Sequence, residues 1–365
     1  MSSLSSNPSS GAAPGPEPVR DDARDLLDDR KVKILRAIVS EYVATGEPIG
    51  SKRVVEVAQL DVSAATVRNE MAALEELGYI HQPHTSAGRI PTDRGYRYFV
   101  DELSEMTKMP NGPRAELVQE LLGGARDVED LLFRTSTVLS QLTRLVSLVI
   151  APAMDAARLK LIELVSLTPQ TALLLLVADT GRVEKRVVEL REPIADADLE
   201  RVRTVLNEQV RDRRMGEVHD LIAGLAENAP SELRVLLGAI AGATAGNLTE
   251  ETISHVYVGG QASLAGEPTF ERDQLSQVLE LLEERMTLAR LLSETGDDDQ
   301  PTVRIGEENP VEGLRTTSLV SQRYRLVTSG SLGVLGPTRM DYASVLATVR
   351  AVAGQLQETL TDLSE

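Results

Sequence analysis

Apolar residues recur along this chain at changing intervals, and each change of period marks an element. From Arg30 onward Val32, Ile34, Leu35, Ile38, Val39, Tyr42 and Val43 follow helical spacing on one face, and the run ends near Gly46. Asp28 and Asp29 precede it, where the positive end of a helix dipole favours acids. Glu47-Pro48-Ile49-Gly50 breaks the pattern; Ser51 can then cap a second helix through about Ala58, and Ser63 a third. On that third helix, residues 64–77, Val67, Met71, Leu74 and Leu77 share an inner face, while Ala65, Arg68, Asn69, Ala72 and Glu76 point outward. Tyr79 to Gln82 then reads as a strand, Pro83 to Gly88 as a polar tip, and Arg89-Ile90 as the start of a second strand before another helix.

Met109-Pro110-Asn111-Gly112-Pro113 is a breaker cluster that predicts a domain boundary. A long amphipathic helix is expected over residues 115–145, followed by strands over 159–167, 172–178 and 183–190. The last two are joined by Asp179-Thr180-Gly181-Arg182, a hairpin turn that makes them antiparallel. Helical patterns follow over 199–210, 218–225 and 231–248, then a strand over 253–258 ending at Gly259-Gly260. Leu275, Val278, Leu282, Met286, Ala289 and Leu292 lie on one face of a helix spanning 273–292. Strands near 302–305, 316–320, 324–328 and 331–335 and a final helix over 339–363 complete the pattern. Strands, then helices, then strands predict an α+β chain in which one sheet domain is interrupted by an insertion. The expected division is a disordered tail over residues 1–20, an N-terminal domain over 21–108, a sheet domain over 109–191 and 296–365, and an insertion over 192–295.

At 365 residues and 42% hydrophobic content the chain suits two or three domains, each burying its own core. It has no uncharged apolar run of about 18 residues, so no membrane span is expected. Its first residues lack the basic start and apolar middle of a secretory signal. The absence of cysteine excludes disulfides and thiolate metal sites and fits a reducing cytoplasm.

A net charge of -18 argues against nucleic acid until it is divided along the chain. Residues 30–100 carry ten Lys/Arg against eight Asp/Glu, whereas residues 101–365 carry twenty-six against forty-two. The one net-basic segment is the one with the short outward-polar helix, and an acidic body holds itself off a phosphate backbone. A slight basic excess is also ordinary surface.

The outward face of the third helix suits base reading. Arginine can bond bidentately to guanine O6 and N7, asparagine to adenine N6 and N7, and alanine permits close approach. A plain amphipathic surface helix shows such residues too, and a surface hairpin can carry a stray arginine; their succession, helix then Gly-tipped hairpin, is what a winged helix-turn-helix requires. Arg68 and Asn69 are therefore expected to read bases, and Ser51, Lys52, Ser63, Thr66, His84, Thr85, Ser86 and Arg89 to contact the phosphate backbone or the minor groove.

These residues are recognisable as a set. SAATVRNEMAALEELGYI followed by HTSAGRIPTDRGYRYFVD, with IGEEN at Ile305 to Asn309 and GPTRMDY at Gly336 to Tyr342, closely resembles the bacterial heat-inducible transcription repressor family from about Arg30 to the end. The resemblance implies a homodimer that binds an inverted-repeat operator in double-stranded DNA upstream of chaperone operons. It also implies a GAF-like domain with an inserted dimerisation domain, and chaperonin as a partner that promotes the active repressor until heat-unfolded clients draw it away.

Other constellations lead to no chemistry. His81 and His84 fall near each other, but no third ligand accompanies them and His219 and His255 are distant in sequence, so no metal is expected. The glycines from Gly330 to Gly336 lack the Gly-Lys-Ser/Thr ending of a phosphate loop; a strand, Pro337 and then Thr338 as cap of the last helix is the simpler reading. No nucleophile motif or cofactor site is present, so no enzyme is expected. A metabolite-responsive regulator with a ligand in the C-terminal sheet domain is the alternative. Gly238, Gly242 and Gly246 form a smooth helical strip, fit either for a dimer seam or for close packing inside the insertion.

Overall fold

The computed structural model describes residues 27–85, 87–106, 113–152, 157–245, 256–265, 272–294, 300–325 and 329–364. The expected tail over residues 1–20 lies outside them. Helix α1 (Asp29–Thr45) opens where the Asp28 carboxylate accepts the Lys31 backbone N–H at 2.9 Å, and it closes at Gly46, whose φ of 74° a side chain would resist. Helix α2 (Ser51–Val57) begins one residue earlier than expected: Gly50 is the cap, and Ser51 is the first helical residue, with its side chain buried. Helix α3 (Ala64–Glu76) does take Ser63 as its cap, Oγ accepting the Thr66 N–H at 3.1 Å. Strands β1 (Ile80–His81) and β2 (Ile90–Pro91) pair antiparallel, and α4 (Asp93–Met106) follows. Burying Val67, Met71 and Leu74 of α3 against Ile34, Leu35 and Ile38 of α1 stabilises this head by about 1.5–3 kcal/mol per side chain.

The expected long helix over 115–145 is two: α5 (Pro113–Leu122) and α6 (Val128–Thr143), broken at Gly123-Gly124, where Gly124 takes φ 77°. Next comes a strand that the pattern did not reveal, β3 (Val146–Ile150), buried at every position. It is the second strand of a five-stranded antiparallel sheet completed by β7 (Val256–Gly259), β8 (Thr302–Ile305), β9 (Thr317–Arg325) and β10 (Ser329–Pro337), in the order β7-β3-β10-β9-β8. The strand expected over 316–320 continues to Arg325 as β9 and takes in the start of the one expected over 324–328, of which residues 326–328 lie outside the described residues. Helices α5, α6 and α13 (Tyr342–Ser364) cover one face. On the other lie α11 (Arg272–Glu283) and α12 (Arg285–Ser293), a helix expected as one but interrupted at Glu284; a short α10 (Gln261–Ala265) links β7 to them. Asp341, not Thr338, caps α13, its carboxylate accepting the Ser344 N–H at 3.0 Å; the Thr338 carbonyl instead accepts the Tyr342 hydroxyl at 2.7 Å.

A separate unit interrupts this sheet, with borders that differ from the expected 192–295. Strands β4 (Leu159–Thr168), β5 (Thr171–Ala178) and β6 (Val183–Glu189) form their own antiparallel sheet, and it shares one core with α7 (Asp196–Val210), α8 (Val218–Asn228) and α9 (Ser231–Thr244). The chain leaves after β3, builds this unit over 157–245, and returns as β7 beside β3, Ile150 opposite Val256. Strand periodicity cannot say which sheet a strand joins; pairing decides. Asn207 of α7 closes the free edge of β4, accepting the Ile162 N–H at 3.0 Å and donating to its carbonyl at 2.7 Å. Arg182, buried in the β5–β6 turn, donates to the Pro152 carbonyl at 2.6 Å and ties the unit to the body. Among the described residues no helix is long and apolar enough to cross a membrane.

Head and body share one core through α4. Tyr96 packs at a tilt against Tyr342 with ring centroids 5.7 Å apart, Arg97 reaches the Val303 carbonyl at 2.6 Å and pairs with Glu308, and the Glu307 N–H donates to Asp93 at 3.1 Å. Burial pushes the Asp93 carboxyl above its ordinary value, and the charges of Glu308 and Glu307 add to this. Gly306, at φ 53°, leaves no room for a Cβ against the Asp93 carboxylate. Glu308→Ala, which strips Arg97 and the Ile305 N–H of an acceptor, is expected to lower stability by about 1–2 kcal/mol in urea denaturation. An unchanged midpoint would mean that apolar contact alone holds the seam.

Candidate nucleic-acid interface

Helices α2 and α3 are joined through Gln59, whose φ of 50° turns the chain sharply without glycine. The turn leaves the far face of α3 in solvent. Ala65, Arg68, Asn69, Ala72 and Glu76 are all exposed, as their spacing predicts, and Arg68 and Asn69 have no hydrogen-bond or ionic partner among the described residues. Ser63 is exposed, and its hydroxyl lies 3.0 Å from that of half-buried Thr66. Lys52 is exposed at the start of α2, beside the buried Ser51.

Two of the three acids of α3 are neutralised from within the head. Glu70 pairs with Lys31 at 3.2 Å and with Arg30 at 3.5 Å. The Lys31 ammonium is held above its usual range by Asp28 and by Glu70. Glu75 pairs with Arg89 at 2.9 Å. Glu76 alone keeps an unshared negative charge on this helix, so an approaching polyanion meets less repulsion than the composition suggests.

The β1–β2 loop differs from expectation at Arg89. Its guanidinium does not project into solvent but clasps Glu75, Nε to Oε2 at 3.0 Å, while its backbone exchanges two 2.9 Å hydrogen bonds with Ile49. The second oxygen of Glu75 accepts the Gln82 N–H at 3.0 Å, and the Gln82 amide donates to the carbonyls of Thr85 and Ala87 at 3.0 and 2.8 Å. Gly88 is required because any Cβ there would strike the Ile49 backbone. One network therefore fixes the loop to the end of α3 and to the turn before α2, with His84 and Thr85 exposed at its tip. Ser86 lies outside the described residues. Periodicity alone does not single out Glu75 and Gln82. Their spacing from Arg89 crosses a helix end and a hairpin, which no helical or strand period relates. The described residues contain no group of three side chains placed to hold a metal ion.

A family model described as the C-terminal domain of the HrcA protein matches residues 129–346. The chain is 43% identical over 337 residues to a protein of Frankia casuarinae named heat-inducible transcription repressor HrcA, across 92% of this chain and 99% of that protein. A protein of the same name from Streptomyces avermitilis is 44% identical over 342 residues, 92% of this chain and 100% of its own length. Among solved structures, the crystal structure of a hypothetical protein at 2.2 Å resolution matches with a TM-score of 0.65 and 27% identity, over 92% of this chain and 99% of that one.

Glu75→Ala removes the acceptor shared by Arg89 and Gln82 and is expected to cost about 1–2 kcal/mol, with faster hydrogen exchange at the Gln82 amide. Unaltered exchange at Gln82 would show that the loop is held by its own internal bonds.

Proposed function

The chain belongs to the heat-inducible transcription repressor family (HrcA), and from that premise we propose how its geometry performs repression. It is a heat-shock transcription repressor and not an enzyme. In this reading the N-terminal head is a winged helix-turn-helix, and two heads on one homodimer bind the halves of an inverted-repeat operator upstream of chaperone genes. The observation that carries it is the outward face of α3, where Arg68 and Asn69 stand free while the neighbouring acids are paired inward. Arg68 reads guanine and Asn69 adenine. Lys52, Ser63, Thr66, His84, Thr85 and Ser86 meet the phosphate backbone. Ser51 seats the start of α2 from inside, and Arg89 braces the loop through Glu75 without reaching the duplex.

The five-stranded sheet with its two helical layers is the GAF-like domain in this proposal, and residues 157–245 are the inserted dimerisation domain. Its outer sheet face supports a second copy as the occupant. Leu161, Val177 and Val183 form one cross-strand row, Val165, Leu173 and Val187 another, and Val187 is 58% exposed. Between them run Glu163, Leu175 and Lys185, so that a two-fold axis along the strands sets each Glu163 over the partner's Lys185. On α9, Gly238 and Gly242 face open space, with no atom of another element within 4 Å of the place a Cβ would take among the described residues, which disfavours close packing inside the unit. Gly246 lies outside the described residues. The protein acts in the cytoplasm, where chaperonin promotes the active form, as the family resemblance implies.

Fluorescence anisotropy across a salt series, on an inverted-repeat chaperone-promoter duplex and a scrambled one, with and without chaperonin, tests the operator reading. Arg68→Ala should weaken operator binding by about 1–3 kcal/mol and leave the scrambled duplex little changed, whereas Lys52→Ala should weaken both and flatten the salt slope by about one unit. Equal, weak binding of both duplexes by the parent protein would reject the proposal. In sedimentation, Val165→Asp with Val187→Asp should give monomers; an intact dimer would move the seam to the α9 strip, where Gly242→Leu becomes the disruptive change.

A further inference from the structure

We infer that the inserted unit carries a binding site for a compact, multiply charged anion, in the cleft between the start of β4 and the turn that follows α7. The cleft has a volume of about 540 Å³ and is lined by Arg158, Arg211, Asp212, Arg213, Arg214 and Glu217. Four guanidinium groups thus share one opening with two carboxylates, and none of the four forms an ion pair among the described residues. Elsewhere in the same unit arginines do find carboxylates: Arg186 takes Glu184 at 2.6 Å, Arg203 takes Glu163 at 2.9 Å and Arg201 takes Asp198 at 3.4 Å. The four cations outnumber Asp212 and Glu217 by two, and an anion seated among them offsets the repulsion that this excess leaves.

The platform beneath is preformed. Asp212 stands at φ 64° in the turn, its N–H donating to the Leu159 carbonyl at 2.7 Å. Leu159 N–H returns a bond to the Arg213 carbonyl at 2.9 Å, Met215 N–H bonds Ala157 at 2.8 Å, and Arg158 Nη1 donates to the Asp212 carbonyl at 2.7 Å. With the backbone held at these points, Arg211, Arg213 and Arg214 project from a rigid base, and little ordering is needed when a ligand arrives. Planar guanidinium forks bond bidentately to paired oxygens, and several forks around one opening favour a group with several charged oxygens, such as a chain of phosphates, over halide or a single carboxylate. The surroundings select for size. Residues 157–245 carry twelve Lys/Arg against fourteen Asp/Glu, and four of those twelve are in the cleft. An extended polyanion would cross the acidic remainder, whereas a condensed phosphate or the phosphate chain of a nucleotide fits within the cleft.

Isothermal titration calorimetry of the full chain with tripolyphosphate and with ATP, in low-chloride buffer, tests this. Saturable binding is expected, weakened by about tenfold or more in Arg211→Ala with Arg213→Ala and unchanged in Arg234→Ala, an exposed arginine of the same unit outside the cleft. The thermal midpoint without ligand should not move, which separates loss of the site from loss of the fold. Tighter binding of ATP identifies a nucleotide and equal binding a condensed phosphate; either supports the site. No saturable binding of either ligand, or equal affinity in the double variant and the parent, overturns it.

Discussion

The seam along α4 is the contact on which the arrangement of this molecule depends. Tyr96 and Val100 of that helix belong to the same buried cluster as Ile34 and Leu74 of the head and as Tyr342, Val345 and Val349 of the body. A head joined by a linker would swing freely; this one shares a core with the sheet domain, so its orientation is set by packing. Polar contacts fix the register of that packing. Arg97 spans from α4 to Glu308 and to the Val303 carbonyl, and Gly306 lets the Glu307 amide approach Asp93 closely. The sequence segment around Gly306 therefore has a mechanical role, as the point where the body grips the helix that carries the head.

Electrostatics inside the head follow the same economy of position. In a chain with a net charge of -18, Glu70 and Glu75 of α3 are engaged by Lys31, Arg30 and Arg89, so of that helix's acids Glu76 alone faces solvent unpaired among the described residues, beside exposed Arg68. Arg89 gives up its own reach in doing so. What it supplies is rigidity, since the Glu75–Gln82 network holds the hairpin loop to the end of α3.

The inserted unit has a core of its own, separate from the one that head and body share. Its inner sheet face is filled by α7, α8 and α9, and its outer face is left with two apolar rows on a small sheet. Arg182 is the polar anchor between this unit and the body, buried with a carbonyl as acceptor, and burial pulls its guanidinium below the usual range. Placing the chain's exit and return on neighbouring strands β3 and β7 lets the unit be added without disturbing the order of the sheet.

The amino-acid sequence by itself determined whatever depends on local period and local chemistry. Helices α1 and α3, the acidic start of α1, the Ser63 cap, the Gly46 stop, the outward placement of Arg68 and Asn69 and the β5–β6 hairpin all follow from neighbours a few residues apart. Tertiary structure decided what depends on partners far along the chain. Strand β3 is apolar at every position but Ser147, whose hydroxyl donates to the Ser136 carbonyl, because both its faces are covered, so it shows no alternation and gives no strand period. Strands β4 to β6 look like members of the large sheet until pairing assigns them to another. Arg89 looks like a free cation until Glu75, brought beside it by the hairpin, claims it, and Ser51 looks like a cap until Gly50 takes that place. In each case a local pattern specifies an element or a charge, and only the fold supplies the second surface that gives it a role.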